Sequence, residues 1–376
     1  MERKRIYLSS PTMHGEEQAF VQSAFDTNWV APLGPNVDAF EKEMADYIGG
    51  GYAAALSAGT AAIHLAVILA GVKEGDVVFA QSLTFAASVN PACYEKAKPV
   101  FIDSEPDTWN MDPVALEKAF EKYPHPAAVI AVHLYGTPSK IDRIRDICKK
   151  HQVPLIEDAA EALGSSFQGQ KLGTFGDYGI LSFNGNKIIT SSGGGMLLCS
   201  DEAKIKRARF LATQARDPAR YYQHSTIGYN YRMSNVVAGI GRGQLLHLEE
   251  HKARKNEIYR QYKEAFADIE AITMNPMNPD GDANNWLSCM TIALDCSVTP
   301  DQVMDVLAEY NIETRPIWKP MHLQPVFADC DFIQVKEGRS VSEDIFNRGV
   351  CLPSDIKNTP EDMELIISLI RKVFEK

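Results

Sequence analysis

Between Tyr52 and Cys199 the chain alternates short apolar runs with stretches that carry apolar residues at helical spacing. No other feature restricts its fold as much. The runs Tyr52–Leu56, Val77–Ala80, Pro99–Ile102, Ala128–Val132, Pro154–Glu157, Gly179–Phe183 and Gly195–Cys199 are too short for helices and read as strands. Their near-continuous apolar character demands cover on both faces, which a parallel sheet receives from crossover helices such as Ile141–His151. The expected class is α/β, with a mainly parallel seven-stranded sheet in a large domain. Ligand chemistry then belongs at the carboxyl ends of the strands.

Before this region, Gly34 and Pro35 precede a helical pattern in which Val37, Phe40, Met44 and Ile48 share a face. After it, Ser234 to about Ala267 reads as one long, polar, interrupted helical stretch. A boundary near Leu246–Glu250 divides the 376 residues into a large domain, 1–246, and a smaller C-terminal α+β domain, 247–376, with a strand at Cys289–Leu294 and helices at Pro300–Tyr310 and Pro360–Phe374.

With 38 Lys+Arg against 49 Asp+Glu the net charge is -11, and no basic run offers a footprint for nucleic acid. Any phosphate must be held locally. The seven cysteines are odd in number and lack a C-x-x-C pair, so neither a disulfide framework nor a zinc site is written in their spacing. Ile6-Tyr7-Leu8 is too short for a signal-peptide core, and the apolar stretch Ala53–Val72 is broken by Ser57, Gly59, Thr60 and His64. The expectation is a cytoplasmic protein with no membrane partner.

Four groups of residues carry chemistry. S-A-G-T-A-A, Ser57–Ala62, turns from a strand end into a helix whose free N–H groups suit an anion, although Thr60 could equally be an ordinary helix cap. P-L-I-E-D-A-A-E-A, Pro154–Ala162, puts Asp158 just past a buried strand with Glu161 close behind. A protonated ring nitrogen would be a fitting partner for such a carboxylate, and capping of a following helix is the other reading. In L-S-F-N-G-N-K-I-I-T, Leu181–Thr190, Ser182 ends a strand and Lys187 follows in a turn. An amine near a hydroxyl and an acid-lined pocket suits a Schiff base with an aldehyde cofactor, whereas a lone lysine after a turn is by default a solvated one. G-Y-N-Y-R-M-S, Gly228–Ser234, offers Asn230 and Arg232, or simply a capped loop.

In this order, with Thr84-Phe85 between the first and second groups, the motifs resemble the DegT-type sugar-nucleotide aminotransferases, fold type I enzymes that use pyridoxal phosphate. The resemblance extends to Trp29–Glu41, Arg315–His322 and Arg348–Ser354, nearly the whole chain. It implies that Lys187 carries the cofactor as a Schiff base, Asp158 pairs with its ring nitrogen, Gly59, Thr60 and Ser182 hold its phosphate, Glu161 lies near its ring hydroxyl and Phe85 stacks on its ring. It further implies a homodimer in which Asn230 reaches the partner's cofactor phosphate.

N-G-N-K-I-I-T and S-G-G-G-M look most like UDP-N-acetylbacillosamine transaminases, which aminate C4 of a UDP-linked 4-keto-6-deoxy-N-acetyl sugar with nitrogen from L-glutamate. Gly193 stands where many relatives have Glu. Arg315 and Lys319 are candidates for the sugar-nucleotide diphosphate, with Trp318 and His322 for the sugar or base. Other nucleotide carriers remain open. A dehydratase on the same fold would replace Lys187 by histidine, a non-catalytic regulator would not need the cofactor residues, and a nicotinamide enzyme would show a fingerprint that is missing. His247-Leu248-Glu249-Glu250-His251 satisfies H-x-x-E-H but lacks an evident third ligand, so no metal is expected. Gly239, Gly241 and Gly243 read as a close helix contact.

Overall fold

The computed structural model describes residues 4–375. All seven apolar runs are strands, with bounds within one residue of the expected ones: β1 Tyr52–Leu56, β2 Val77–Gln81, β3 Lys98–Ile102, β4 Ala128–Val132, β5 Leu155–Asp158, β6 Tyr178–Ser182 and β7 Gly195–Cys199. Their order is β1-β7-β6-β5-β4-β2-β3, and Phe332–Ile333 from the C-terminal part of the chain adds an eighth strand parallel to β3. Only β7 runs against its neighbours. The cause is local: a parallel return needs a crossover helix, and the loop Phe183–Gly194 between β6 and β7 contains none.

Helices cover both faces. The helix Gly59–Leu69 is buried along most of its length, and Pro35–Ile48 packs Val37, Phe40, Met44 and Ile48 inward, each side chain contributing about 1.5–3 kcal/mol of burial. The apolar stretch Ala53–Val72 is thus strand, turn and an 11-residue helix. Among the described residues no helix is long and apolar enough to cross a membrane.

The long polar stretch breaks at Leu246–His247 into Asn235–Leu245 and Leu248–Ala265. A β-carbon on Gly241 would lie 2.7 Å from the Phe40 ring and one on Gly243 2.6 Å from the Glu17 amide, so this glycine row serves close packing.

Ile272–Met274, Ser288–Ile292, Gly349–Leu352 and Arg315–Pro316 form a second, antiparallel sheet in that order. Pro300–Glu309 and Pro360–Phe374 start with proline behind capping boxes on Thr299 and Thr359. Met290, Val350, Leu307 and Ile366 make a separate core with them, and Ile6, bridged to Ile312, packs into it. From Ile6 the N-terminal segment runs back to the large sheet, where Ser9 Oγ donates to the Asn186 carbonyl at 3.1 Å.

Candidate active site

The carboxyl ends of β1, β2, β5 and β6 bring Ser57, Thr84, Asp158 and Ser182 to the rim of a cavity of about 340 Å³. Gly59, Thr60, Phe85, Glu161, Asn184, Asn186, Lys187, Gly193, Trp286 and Trp318 complete most of its lining. Gly59 makes a close contact. A β-carbon there would sit 3.1 Å from Ser182 Cβ, so glycine lets the helix start approach the end of β6 without displacing that side chain. The helix begins at Gly59, and its N-cap, Ala58, supplies no side-chain cap. Thr60 is therefore not the cap, and the first-turn N–H groups stay available to an anion beside the Ser182 hydroxyl.

Asp158 is 3% exposed. Its Oδ2 accepts from Ser88 Oγ at 2.7 Å, Thr84 Oγ1 lies 2.8 Å from that hydroxyl, and its Oδ1 accepts from the Ala160 amide at 3.0 Å. A turn rather than a helix follows, so the capping alternative fails.

Glu161 is buried as well: Oε2 accepts from the Tyr135 amide at 2.7 Å and Oε1 from Trp318 Nε1 at 3.2 Å. Burial raises its pKa against the pull of Lys187. Lys187 Nζ lies 3.9 Å from Glu161 Oε1 and 4.2 Å from the Trp286 ring centroid. Burial lowers its pKa, with Glu161 and Asp158 acting in the opposite direction. The lysine is thus no solvated turn residue. Its amine is biased toward the neutral, nucleophilic form.

An anion-binding helix start, a poised amine and a carboxylate fixed by two hydrogen bonds converge on one cavity. A phosphorylated aldehyde with a basic ring nitrogen needs this donor set, and the residues present fit pyridoxal phosphate.

Of the remaining expected site residues, Phe85 and Trp318 line the cavity and the others lie elsewhere in the single chain. Phe85 is 52% exposed at the rim, its ring 5.2 Å from that of Trp318. Asn230 is exposed and outside the lining. Arg232 is bound to Glu41 and the Ala55 carbonyl, which makes it structural. Arg315 pairs with Glu313 at 2.7 Å with its side chain 62% exposed, and Lys319 is exposed; neither lines the cavity.

His322 lies outside the cavity too. Its ring stacks on Phe332 at 3.7 Å, with Nδ1 2.6 Å from Ser82 Oγ and Nε2 3.0 Å from Glu343, so both nitrogens are occupied away from the cavity. Ser88 and Trp286 were not foreseen as site residues. Ser88 follows Thr84-Phe85 closely, but nothing in its own spacing marks it. Trp286 arrives from the second half of the chain, and its Nε1 donates to the Asn186 carbonyl at 2.7 Å, bracing the turn that carries Lys187.

The DegT/DnrJ/EryC1/StrS aminotransferase family matches this chain over residues 11–371. EpsN of Bacillus subtilis, provisionally described as a pyridoxal phosphate-dependent aminotransferase, is 52% identical over 99% of this chain and 96% of its own. GDP-perosamine synthase of Caulobacter vibrioides is 35% identical over 98% of each chain. Among solved structures, the aminotransferase TlmJ of Streptoalloteichus hindustanus superposes with a TM-score of 0.89 at 27% identity, covering 98% of this chain and 99% of the other.

Proposed function

Because the chain belongs to the DegT/DnrJ/EryC1/StrS aminotransferase family, we propose that this pyridoxal phosphate-dependent enzyme transfers nitrogen from L-glutamate to C4 of a UDP-linked 4-keto-6-deoxy-N-acetylhexosamine, giving an amino sugar for glycan biosynthesis. The observation that carries the reading is the Lys187 amine, its side chain 13% exposed, facing Glu161 in the cavity that also holds Asp158. When bound, pyridoxal phosphate supplies an aldehyde that joins amines and a ring that absorbs the electrons of the broken C–H bond.

The protein's own residues do the rest. Asp158, fixed by Ser88 and the Ala160 amide, would keep a proton on the ring nitrogen, and Gly59, Thr60 and Ser182 would hold the phosphate. Lys187 Nζ would hold the cofactor and would serve as the base and acid that moves the proton in both halves of the reaction. Phe85, Trp286 and Trp318 limit water at the reacting atoms. Asn230, exposed on its own chain, serves the cofactor phosphate of a second copy in a homodimer.

N-G-N-K and S-G-G-G-M favour the UDP carrier. The 35% identity to GDP-perosamine synthase supports a GDP-linked keto sugar as the second reading. Conversion of the aminated cofactor back to the aldehyde form, followed by absorbance with UDP-, GDP- and dTDP-linked keto sugars in turn, separates them. Preference for UDP upholds the first reading. Preference for either other carrier overturns it.

A further inference from the structure

The H-x-x-E-H segment that begins at His247 gains in three dimensions the partner it lacks in sequence. His247 is the N-cap of the helix Leu248–Ala265 and Glu250 is in its first turn. The segment just before the helix Glu16–Asp26 brings His14 against them, so that one ring nitrogen each from His14 and His247 and one Glu250 carboxylate oxygen lie within 4.8 Å of one another. His247 Nδ1 is 3.2 Å from Glu250, and its Nε2 is 3.2 Å from Glu16, which adds negative charge. His251, the last residue of the motif, plays a different part.

The hydrogen bonds determine which nitrogen of His14 is free. The Ile188 carbonyl can only accept, so His251 Nδ1, 2.8 Å away, carries the proton. In the neutral ring His251 Nε2 then accepts, and His14 Nε2, 2.7 Å away, donates to it. His14 Nδ1 is left with its lone pair. A histidine whose second nitrogen is held through a chain ending on a backbone carbonyl is oriented as metal-ligating histidines commonly are.

We propose that His14, His247 and Glu250 bind one divalent transition-metal ion, zinc matching the donor set best, and that this ion clamps the N-terminal segment to the helix Leu248–Ala265. Two imidazoles and a carboxylate are a common zinc set, with bonds of about 2.0–2.2 Å and a position left for water. Ligands around such an ion lie about 3.3–3.5 Å apart, so the side chains must close in. The rings of His14 and His247 stack at 3.6 Å, 5° from parallel, and His247, its side chain 22% exposed, must turn to aim a nitrogen at the shared ion. The clamp adjoins the active site without entering it, since His251 ends on the carbonyl next to Lys187 and Ser9 holds the Asn186 carbonyl.

The test uses untagged, chelator-treated holoenzyme. Calorimetry with zinc alone, and visible absorption with cobalt alone, should give one ion per chain with the spectrum of a four-coordinate site. His14→Ala, His247→Ala and Glu250→Gln should each weaken zinc binding by more than the ~10–100-fold typical of losing an outer hydrogen-bond partner. Glu250 is exposed, so Glu250→Gln leaves the fold intact even where a histidine variant does not. Zinc should also raise the melting temperature of the wild type and not of the variants. Absence of a bound ion in the wild type, or affinity unchanged in Glu250→Gln together with a His14→Ala/His247→Ala double variant, overturns the proposal.

Discussion

Replacing Lys255 by methionine removes an ammonium group from a place where the fold disfavours its charge. Lys255 is 3% exposed, and Nζ donates to Ser9 Oγ at 3.0 Å, the Trp286 carbonyl at 2.9 Å and the Ser354 carbonyl at 2.6 Å, all neutral acceptors. Burial pushes its pKa from 10.5 down to about 7, with Asp355 opposing. At 1.36 kcal/mol per pH unit the whole displacement is worth about 5 kcal/mol.

The direction follows from where the proton sits. Between about 7 and 10.5 the unfolded chain holds a proton that the folded chain has released, so stability through this group rises with pH across that window and is level below it. At high pH the folded lysine is a neutral amine with two N–H groups, so Lys255→Met forfeits two donated hydrogen bonds, strands buried acceptors at about 1–3 kcal/mol each and should be several kcal/mol less stable than the wild type. Toward pH 7 that gap should narrow by up to about 5 kcal/mol, because only the wild type carries the burden of the buried charge. Urea unfolding of both holoenzymes, at fixed protein and cofactor concentrations across the window, measures the gap. Wild-type and variant midpoints that move in parallel would refute the reasoning.

Asp158→Asn cannot hold a proton on the ring nitrogen and should slow the glutamate half-reaction by at least roughly 100-fold while the cofactor stays bound; an unchanged rate in stopped-flow absorbance removes Asp158 from that role. Arg315→Ala should weaken the sugar-nucleotide half-reaction by about 10–100-fold, the worth of a charge-assisted hydrogen bond, and spare the glutamate half, whereas equal loss in both would mean support of fold or cofactor. Lys187→Ala chains mixed with Asn230→Ala chains should recover part of the activity after subunit exchange, since a hybrid contains one intact site. No recovery despite proven exchange would confine Asn230 to its own subunit.

The large sheet was legible because buried parallel strands are apolar along their length and stop where polar residues begin, as at Asp158 and Ser182. Phe332–Ile333 was not, since two residues at a sheet edge leave no periodicity to read. In the site, Lys187, Asp158 and Gly59 were visible as residue types at strand ends that the topology must bring together. Trp286 and His14 were not, because their partners lie 100 and 237 residues away and local spacing carries no trace of such contacts. The orientation of His322 was not legible for the same reason. The segment Arg315–His322 is near the site, but Phe332, Ser82 and Glu343 decide which way its histidine turns.

The central claim is that Lys187, alone among the lysines, bonds the cofactor. Two described lysines have pKa values lowered by burial of the amine, Lys187 in the cavity and Lys255 outside its lining, so identifying the attached residue discriminates sharply. The holoenzyme should show a visible absorption band that borohydride abolishes, and mass spectrometry of the reduced, digested protein should find the pyridoxyl phosphate group on Lys187. Attachment at Lys255 or any other lysine, in the wild type or in Lys187→Ala, would contradict it.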